Sequence, residues 1–184
     1  MADQTRGLLS AYLQRKRIAA VVPYITGSIL DFGCGTGALA PFVLPALYVG
    51  VDRDHEVLAK AAAVHDGYRF LRDEDFFKTN DRYQTIVIAA VIEHVVEPVT
   101  LLQVFYDYLN DDGRILVTTP DPRWTWAHAL GSACHLFSKE AHGEHKEFID
   151  KRTMDELAQQ ARLSVETYVR FLCGANQLFI LKKS

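Results

Sequence analysis

The chain has 184 residues, of which 49% are hydrophobic and 23% are charged, and its formal net charge is −3. This length and composition are typical of one globular domain, so we expect residues 1–184 to share a single core. The slightly acidic balance excludes the strongly basic surface of most nucleic-acid-binding proteins, and we expect no nucleic-acid partner. The one basic cluster, residues 15–17, is interpreted as the solvated face of a helix.

The three cysteines are Cys34, Cys134 and Cys173, and no two of them are spaced as a C-x-x-C pair. Neither a disulfide framework nor a cysteine-rich zinc site is therefore indicated, and a reducing cytoplasm is the expected location. The N-terminal residues are polar and charged, unlike a secretory signal. The longest apolar run, 38–51, is short and contains two prolines, so we expect no transmembrane segment.

The predicted elements begin with a helix over residues 5–22, where apolar side chains recur at helical spacing before Pro23. A β-type run at 28–30 leads into a turn with three alternate glycines at 33–37, and a helix is predicted at 37–44. Alternate glycines leave the backbone bare, so a flat cofactor can lie against the turn, and a helix start adds N–H groups that favour negative charge. The alternative is a turn that only shapes a loop.

The second strand, predicted at 47–51, ends on Asp52, which lies 19 positions after Gly33. An acidic side chain at this distance, at the carboxyl end of the second strand, is where a ribose diol is held. Its two oxygens can accept hydrogen bonds from two neighbouring hydroxyls. The alternative role, a cap of the next helix, suits Asp54 better, because Asp54 directly precedes the helix predicted at 55–64.

A short strand predicted at 68–71 is followed by an acidic loop at 72–75. The loop contains Asp73 and Glu74, and a carboxylate is the complementary group for the exocyclic amino donor of an adenine. A solvated charged loop is the competing interpretation, and the residues alone leave both open.

The fourth strand, predicted at 83–90, is apolar enough to be central in a parallel sheet, and it ends on Ala90. A small residue there leaves room for a ligand, although close packing of a helix also explains it. The step Glu93-His94 follows this strand directly. The next predicted elements are a helix at 98–109, a turn at 110–113 and a fifth strand at 114–119.

Residues 120–152 form a segment of 33 residues without a strand pattern, and we interpret it as a functional lid or cap. Its aromatic and apolar side chains indicate an apolar or aromatic substrate pocket, although a lid packed on the sheet explains them at least as well. The first three of its four histidines would lie two turns apart along a helix, too far to hold one ion, and only the last two are close in sequence, so no metal site is predicted. These histidines are His128, His135, His142 and His145.

The chain after this segment is predicted to form one helix and two strands. The helix begins after Thr153, which has a glutamate three residues on as in a capping box, and ends near Arg162. The strands are predicted at 164–172 and 176–181. Because a parallel crossover needs a dozen or more residues, the two strands must form an antiparallel hairpin.

These motifs together resemble the class I S-adenosylmethionine-dependent methyltransferases, in particular the small-molecule type 11 group. The resemblance spans about residues 28–182 and rests on the glycine motif with its leading Asp31, on Asp52, and on the Glu93-His94 step. It implies an α/β fold, a Rossmann-like doubly wound seven-stranded sheet of order 3-2-1-4-5-7-6 with strand 7 antiparallel. The chain departs from the family pattern in its 33-residue segment and at Gln84, where an acidic residue commonly precedes the fourth strand.

A nicotinamide dehydrogenase is the rival interpretation, since Gly33, Gly35 and Ala38 also satisfy the dinucleotide-binding fingerprint. Two features decide against it. Asp31 lies two positions before the first glycine, as in methyltransferases, and the chain ends in an antiparallel hairpin rather than in further βαβ units. A non-catalytic domain that binds the cofactor or a partner protein remains the second hypothesis for the function.

The resemblance implies S-adenosylmethionine as the cofactor and assigns contacts to particular residues. Asp31 would orient the methionine amino group, directly or through water, and Asp52 would bind the ribose hydroxyls. The other implied contacts are Gly33, Cys34 and Gly35 against the cofactor, Arg53 beside the adenine, Asp73 or Glu74 at the adenine amino group, and Ala90 near the methionine part.

Methyl transfer from a sulfonium is an in-line displacement, so the protein mainly aligns the acceptor with the methyl group and excludes water. A hydroxyl or phenol acceptor also benefits from a base. His94 and His145 are the candidates, because a histidine titrates near neutral pH. A structural role for His94 is equally compatible with the sequence. The predicted function is methyl transfer to a small, apolar or aromatic acceptor.

Overall fold

The computed structural model describes residues 2–124 and 149–184, so most of the predicted lid or cap lies outside the described residues. The helices described are α1 Ala2–Val21, α2 His55–Val64, α3 Asp73–Phe76, α4 Pro98–Tyr108 and α5 Lys151–Gln160. The strands are β1 Ile29–Phe32, β2 Tyr48–Asp52, β3 Arg69–Arg72, β4 Tyr83–Ala89, β5 Leu109–Pro120, β6 Leu163–Phe171 and β7 Asn176–Lys183. Across the described ranges, no helix has the length and apolar content needed to cross a membrane.

The strands of the described residues form one seven-stranded sheet of order β3-β2-β1-β4-β5-β7-β6. Strands β1 to β5 pair in parallel, whereas β7 runs antiparallel to both β5 and β6. The short turn at 172–175 joins β6 to β7 and leaves no room for a parallel crossover. The strand order and the reversed strand implied by the resemblance are confirmed.

Alternate side chains of the central strands enter two apolar cores, one on each face of the sheet. Leu30 of β1 packs in one core with Phe105 of α4 and Met154 of α5, whereas the adjacent Ile29 packs in the other with Ile18 of α1. Both faces are therefore covered, as expected for parallel strands with continuous apolar sequences. The parallel strands consequently end along one edge of the sheet, where the loops that follow them can form a site.

The prediction of a helix at 37–44 is wrong. Two short 3-10 helices, Ala40–Phe42 and Pro45–Leu47, follow the glycine turn instead. Pro41 and Pro45 each lack a backbone donor, so a continuous α-helical ladder cannot form across this stretch. The glycine turn therefore presents no α-helix N-terminus, and the preference for negative charge expected from a helix start does not apply.

Three further predictions differ from the structure in detail. Of the acidic loop expected at 72–75, residue 72 ends β3 and residues 73–75 lie in the short helix α3. The turn expected at 110–113 is part of β5, where the pairing with β4 shifts register. Asp150 rather than Thr153 caps α5, because the Asp150 carboxylate accepts from the backbone N–H and the hydroxyl of Thr153 at 2.8 and 2.9 Å. A carboxylate satisfies two donors here and is the stronger cap.

Candidate functional site at the carboxyl edge of the sheet

The glycine turn that follows β1 is fixed against the ends of β2 and β4. The backbone N–H groups of Gly33 and Cys34 both donate to the carbonyl of Val51, at 2.8 and 3.0 Å. Gly33 has φ +74°, and a Cβ at this position would lie 2.3 Å from Cγ2 of Val91. Only glycine fits there without displacement of a neighbour, which explains the first glycine of the motif.

Asp52, the predicted ribose ligand, lies at the end of β2, and its carboxylate links the glycine turn to the backbone that follows β2. Its Oδ2 accepts from the N–H of Gly35 at 2.9 Å, and its Oδ1 accepts from the N–H of Asp54 at 3.1 Å. Each carboxylate oxygen retains a further lone pair for a ligand hydroxyl. Gly35 has φ +55°, and no atom lies within 4 Å of the position of a Cβ, so this face of the turn is open. Asp54 caps the start of α2, as predicted.

Asp31 is buried in β1, two residues before the first glycine, with 4% of its surface exposed. Its Oδ2 accepts a hydrogen bond from the Tyr48 hydroxyl at 2.7 Å. Burial raises the pKa of Asp31 to about 6, the hydrogen bond from Tyr48 opposes this rise, and the charge of Asp52 adds to it. The carboxyl group therefore changes its charge in mildly acidic solution, close to the candidate site.

Four other predicted cofactor residues lie in different surroundings along this edge. Cys34 is buried, and burial raises the pKa of its thiol, so the side chain stays neutral. Arg53 is exposed directly after β2. Asp73 begins α3 and accepts from the backbone N–H of Glu74 at 2.8 Å, while the Glu74 side chain pairs with Arg72. Both carboxylates remain near the end of β3, and their contact with an adenine stays a prediction.

Ala90 follows β4 with φ +58°, a conformation that alanine rarely adopts. Its backbone N–H donates to the carbonyl of Thr118 at 2.9 Å, which holds the residue against the end of β5. Non-glycine residues in this conformation are concentrated at binding and active sites. That Ala90 lies beside a ligand stays a prediction.

The arrangement fits the cofactor that the resemblance implies. An open backbone face at Gly35 lies beside the acceptor oxygens of Asp52, and an ionisable carboxyl group at Asp31 is close to both. Side chains that could ligate a metal ion form no cluster of three or more among residues 2–124 and 149–184. The Asp52 carboxylate can accept hydrogen bonds from the hydroxyl groups of a ligand, and the bare backbone at Gly35 leaves space for that ligand.

A family model described as a methyltransferase domain matches residues 6–168. The chain belongs to this family of methyltransferase domains. The match covers the glycine turn, the strands β1 to β5 and most of β6, so it includes the whole edge described above. The class I methyltransferase resemblance drawn from the motifs is confirmed.

The methyltransferase domain is also similar to curated ubiquinone biosynthesis O-methyltransferases. It is 29% identical over 164 residues to the mitochondrial enzyme of Bos taurus, and this match covers 78% of this chain and 43% of the bovine protein. It is 26% identical over 150 residues to the enzyme of Aeromonas salmonicida, and this match covers 74% of this chain and 63% of that protein. The chain therefore spans only part of the length of these relatives.

Solved structures share the fold at low sequence identity. An S-adenosylmethionine-dependent methyltransferase from Clostridium acetobutylicum has a TM-score of 0.68 at 12% identity, covering 87% of this chain and 85% of that chain. Magnesium protoporphyrin IX methyltransferase from Synechocystis PCC 6803, solved with bound SAH, has a TM-score of 0.67 at 15% identity, covering 94% and 84%. These similarities support the same sheet architecture for the methyltransferase domain.

Of the two predicted catalytic histidines, the structure describes only His94, and its role as a base stays a prediction. His94 ends the 3-10 helix Ile92–His94 after β4 and is exposed. His145 lies outside the described residues. The sequence analysis used Glu93 as part of the family motif but assigned it no role, and its Oε2 is buried without a hydrogen-bond partner among the described residues. Burial raises the pKa of Glu93, while a hydrogen bond to its own backbone and the charges of His94 and Arg17 oppose the rise.

The prediction that residues 15–17 form a solvated face is wrong for Arg17. Arg17 is half-buried, and its Nε donates to Oδ1 of Asn176, the first residue of β7, at 3.1 Å. Burial lowers the pKa of Arg17, and the charge of Glu93 opposes this. Helix α1 thus covers the carboxyl edge through Arg17, which helical periodicity alone could not distinguish from its exposed neighbours.

Sequence reasoning also missed a charged group at the end of β5. The side chain of Asp121 is only 2% exposed. Its Oδ1 accepts from the backbone N–H and Nε of Arg123 at 2.9 and 3.1 Å, and its Oδ2 accepts from Nη2 of Arg123 at 3.1 Å. Arg170, near the end of β6, pairs with the same Oδ2 at 3.2 Å. No motif links these residues, because the fold rather than the local sequence brings them together.

Proposed function

We propose that this protein binds S-adenosylmethionine at the glycine turn and transfers its methyl group to a small acceptor molecule. The observation that carries the proposal is the open face of Gly35 beside the Asp52 carboxylate at the end of β2. Membership of the methyltransferase-domain family supports it. When bound, the cofactor supplies an activated methyl group on a sulfonium.

The proposed binding roles follow the positions of the side chains. Asp52 accepts hydrogen bonds from the ribose hydroxyls through the lone pairs that Gly35 and Asp54 leave free. Asp31 faces the methionine amino group, and the positive charge of that group would favour the ionised carboxylate. The remaining proposed contacts are Gly33, Cys34 and Gly35 against the cofactor, Arg53 beside the adenine, Asp73 or Glu74 at the adenine amino group, and Ala90 near the methionine part.

The proposed acceptor is a small, apolar or aromatic molecule. The relatives named as ubiquinone biosynthesis O-methyltransferases support a hydroxyl as the atom methylated. The protein's part in such a transfer is to align the hydroxyl, exclude water and accept its proton, and His94 and His145 stay the proposed bases. A cytoplasmic location belongs to the proposal and rests on the free cysteines Cys34 and Cys173.

The proposal is tested by incubating the protein with S-adenosylmethionine carrying a labelled methyl group and a small-molecule extract. We expect label to enter an extractable compound with the wild-type protein, and transfer to fall at least about tenfold in Asp52→Ala, since two charge-assisted hydrogen bonds are lost. Asp66→Ala, which removes an exposed carboxylate, is the matched control and keeps the wild-type rate. Cofactor binding without any labelled product across the extract would favour the non-catalytic alternative.

A further inference from the structure

A cleft of about 490 Å³ opens beside the ends of β5, β6 and β7. It lies on the same edge of the sheet as the glycine turn, because Pro120 at the end of β5 pairs with Asn176 at the start of β7, and Asn176 pairs with Phe171 at the end of β6. The residues that line it and carry charge are Asp121, Arg123, Asp150, Lys151, Arg152, Asp155 and Arg170.

The carboxylates of this cleft are already engaged by neighbours. Asp150 caps α5 through the neutral N–H and hydroxyl of Thr153 and keeps its negative charge, and Asp155 pairs with Lys151 at 2.9 Å. Asp121 is shared by Arg123 and Arg170, so one negative charge faces two guanidinium groups. The cluster of Asp121, Arg123 and Arg170 therefore carries a formal net charge of +1, which favours an anion that contacts both guanidinium groups.

The two guanidinium groups also keep donors for a ligand. Arg123 contacts Asp121 through Nε and Nη2, and Arg170 contacts Asp121 and the Tyr168 hydroxyl through Nε. The contacts among residues 2–124 and 149–184 do not use Nη1 of Arg123 or either terminal nitrogen of Arg170. Planar guanidinium donors match the oxygens of a carboxylate or a phosphate.

The side of the cleft that carries Tyr168 and Arg170 is held in place by the buried side-chain amide of Gln177. Gln177 is 1% exposed, and its Nε2 donates to the carbonyls of Pro120 and Ile149 at 3.1 and 2.9 Å. Its Oε1 accepts from the Tyr168 hydroxyl at 3.0 Å. The positions of Tyr168 and Arg170 are therefore fixed relative to the end of β5, so the cleft is built before a ligand arrives.

We propose that this cleft binds an anionic group, a carboxylate or a phosphate, carried by the methyl acceptor. The inference rests on the proposed function for the role of the bound molecule, whereas the anion site itself rests only on Arg123, Arg170 and Asp121. It places an anionic anchor beside β5 and β6, on the edge of the sheet where the cofactor is proposed to bind. Of the two proposed classes of acceptor, the cleft therefore favours an aromatic molecule that carries an anionic group over an apolar molecule without one.

The test titrates the full chain with benzoate, phenyl phosphate, inorganic phosphate and uncharged benzyl alcohol, with NMR chemical shifts as the readout. We expect saturable binding of benzoate or phenyl phosphate, and which of the two binds identifies the anion. Arg170→Gln should weaken that binding at least about tenfold, because charge-assisted hydrogen bonds are lost. Arg170→Lys, which keeps the charge without the planar fork, should weaken it less. Arg69→Gln, on an exposed pair with Asp81, is the matched control and binds as the wild type does.

Several outcomes overturn the inference. These are equal binding of benzyl alcohol, binding of inorganic phosphate only, or anion binding that Arg170→Gln leaves unchanged. A parallel titration with S-adenosylhomocysteine, which we expect Arg170→Gln to leave within about twofold, also shows that the variant is folded. If S-adenosylhomocysteine binds and no aromatic anion does, the anion site fails while the proposed function stands. If the anion binds and S-adenosylhomocysteine does not, the proposed function fails instead.

Discussion

The two ends of the carboxyl edge are assembled from contacts of very different range. At the glycine turn, Asp52 reaches Gly35 and Tyr48 reaches Asp31 across 17 positions of the chain. At the other end, Gln177 reaches Pro120 across 57 positions. These two contacts of the first region join β1 and its turn to the next strand, β2, whereas the contact of the second region joins strands that are far apart in the chain. Changes in the first should act on ligand binding through local geometry, and changes in the second should act through the packing of the sheet.

The largest effect is expected from Gly33→Ala. The left-handed φ and the approach of Val91 together should lower the free energy of unfolding by about 2–4 kcal/mol. Chemical denaturation measures this directly. Gly35→Ala is the matched control, because its φ is also left-handed but its Cβ would meet open space. It should cost only about 1–2 kcal/mol of stability. Equal losses in the two variants would contradict the geometry of the turn.

The second expected effect concerns the pH dependence that Asp31 gives to the first region. Its pKa is raised from 3.8 to about 6, so the folded state holds a proton that the unfolded state has released. The proton on Asp31 stabilises the folded state fully below pH 3.8, the pKa of the unfolded state. This stabilisation is lost as the pH rises through 6, which lowers the free energy of unfolding by about 2–3 kcal/mol. Denaturation of wild-type protein and Asp31→Asn between pH 3 and 8 measures the difference.

Asp31→Asn should remove this part of the pH dependence, because the amide does not titrate and can still accept from the Tyr48 hydroxyl. Asp66→Asn, at an exposed position, should keep the wild-type profile. If the stabilities of wild-type protein and Asp31→Asn keep a constant difference across this pH range, the raised pKa of Asp31 is not supported.

How far each region could be predicted from the sequence follows from the same comparison. The sheet order followed from the motif resemblance, and Asp52 and Asp54 were placed correctly because a strand end and a helix start are local signals. The prediction of a helix at 37–44 failed because Pro41 and Pro45 lack the backbone donors that a continuous helix needs. Asp121 and Arg170 were not found, because their strands are separated by β7 in the sheet and no local motif links the two residues.

The third expected effect tests the second region. Asp121→Asn removes the negative charge between two guanidinium groups and should lower the free energy of unfolding by about 1–2 kcal/mol, less than for a fully buried pair because both arginines are partly exposed. Asp155→Asn, which breaks an exposed pair with Lys151, should cost less than about 0.5 kcal/mol. Thermal and denaturant unfolding separate these values, and equal costs would show that the burial of Asp121 adds nothing.

The smallest effect is expected at the cap of α2. Asp54→Ala removes the acceptor for the N–H groups of Glu56 and Val57, at 2.9 and 3.3 Å, and should cost about 1 kcal/mol of stability. Asp54→Asn, which keeps an acceptor oxygen, should restore most of the loss. A cost in Asp54→Asn as large as in Asp54→Ala would indicate that charge, rather than the cap hydrogen bonds, holds the start of α2.

The central claim, that the glycine turn and Asp52 form a cofactor site, is tested most directly by calorimetric titration with S-adenosylhomocysteine. The wild-type protein should bind with saturation at one site per chain, and Asp66→Ala should match it. Asp52→Ala should bind at least about tenfold more weakly. The absence of saturable binding to the wild-type protein, or an unchanged affinity in Asp52→Ala, would contradict the claim.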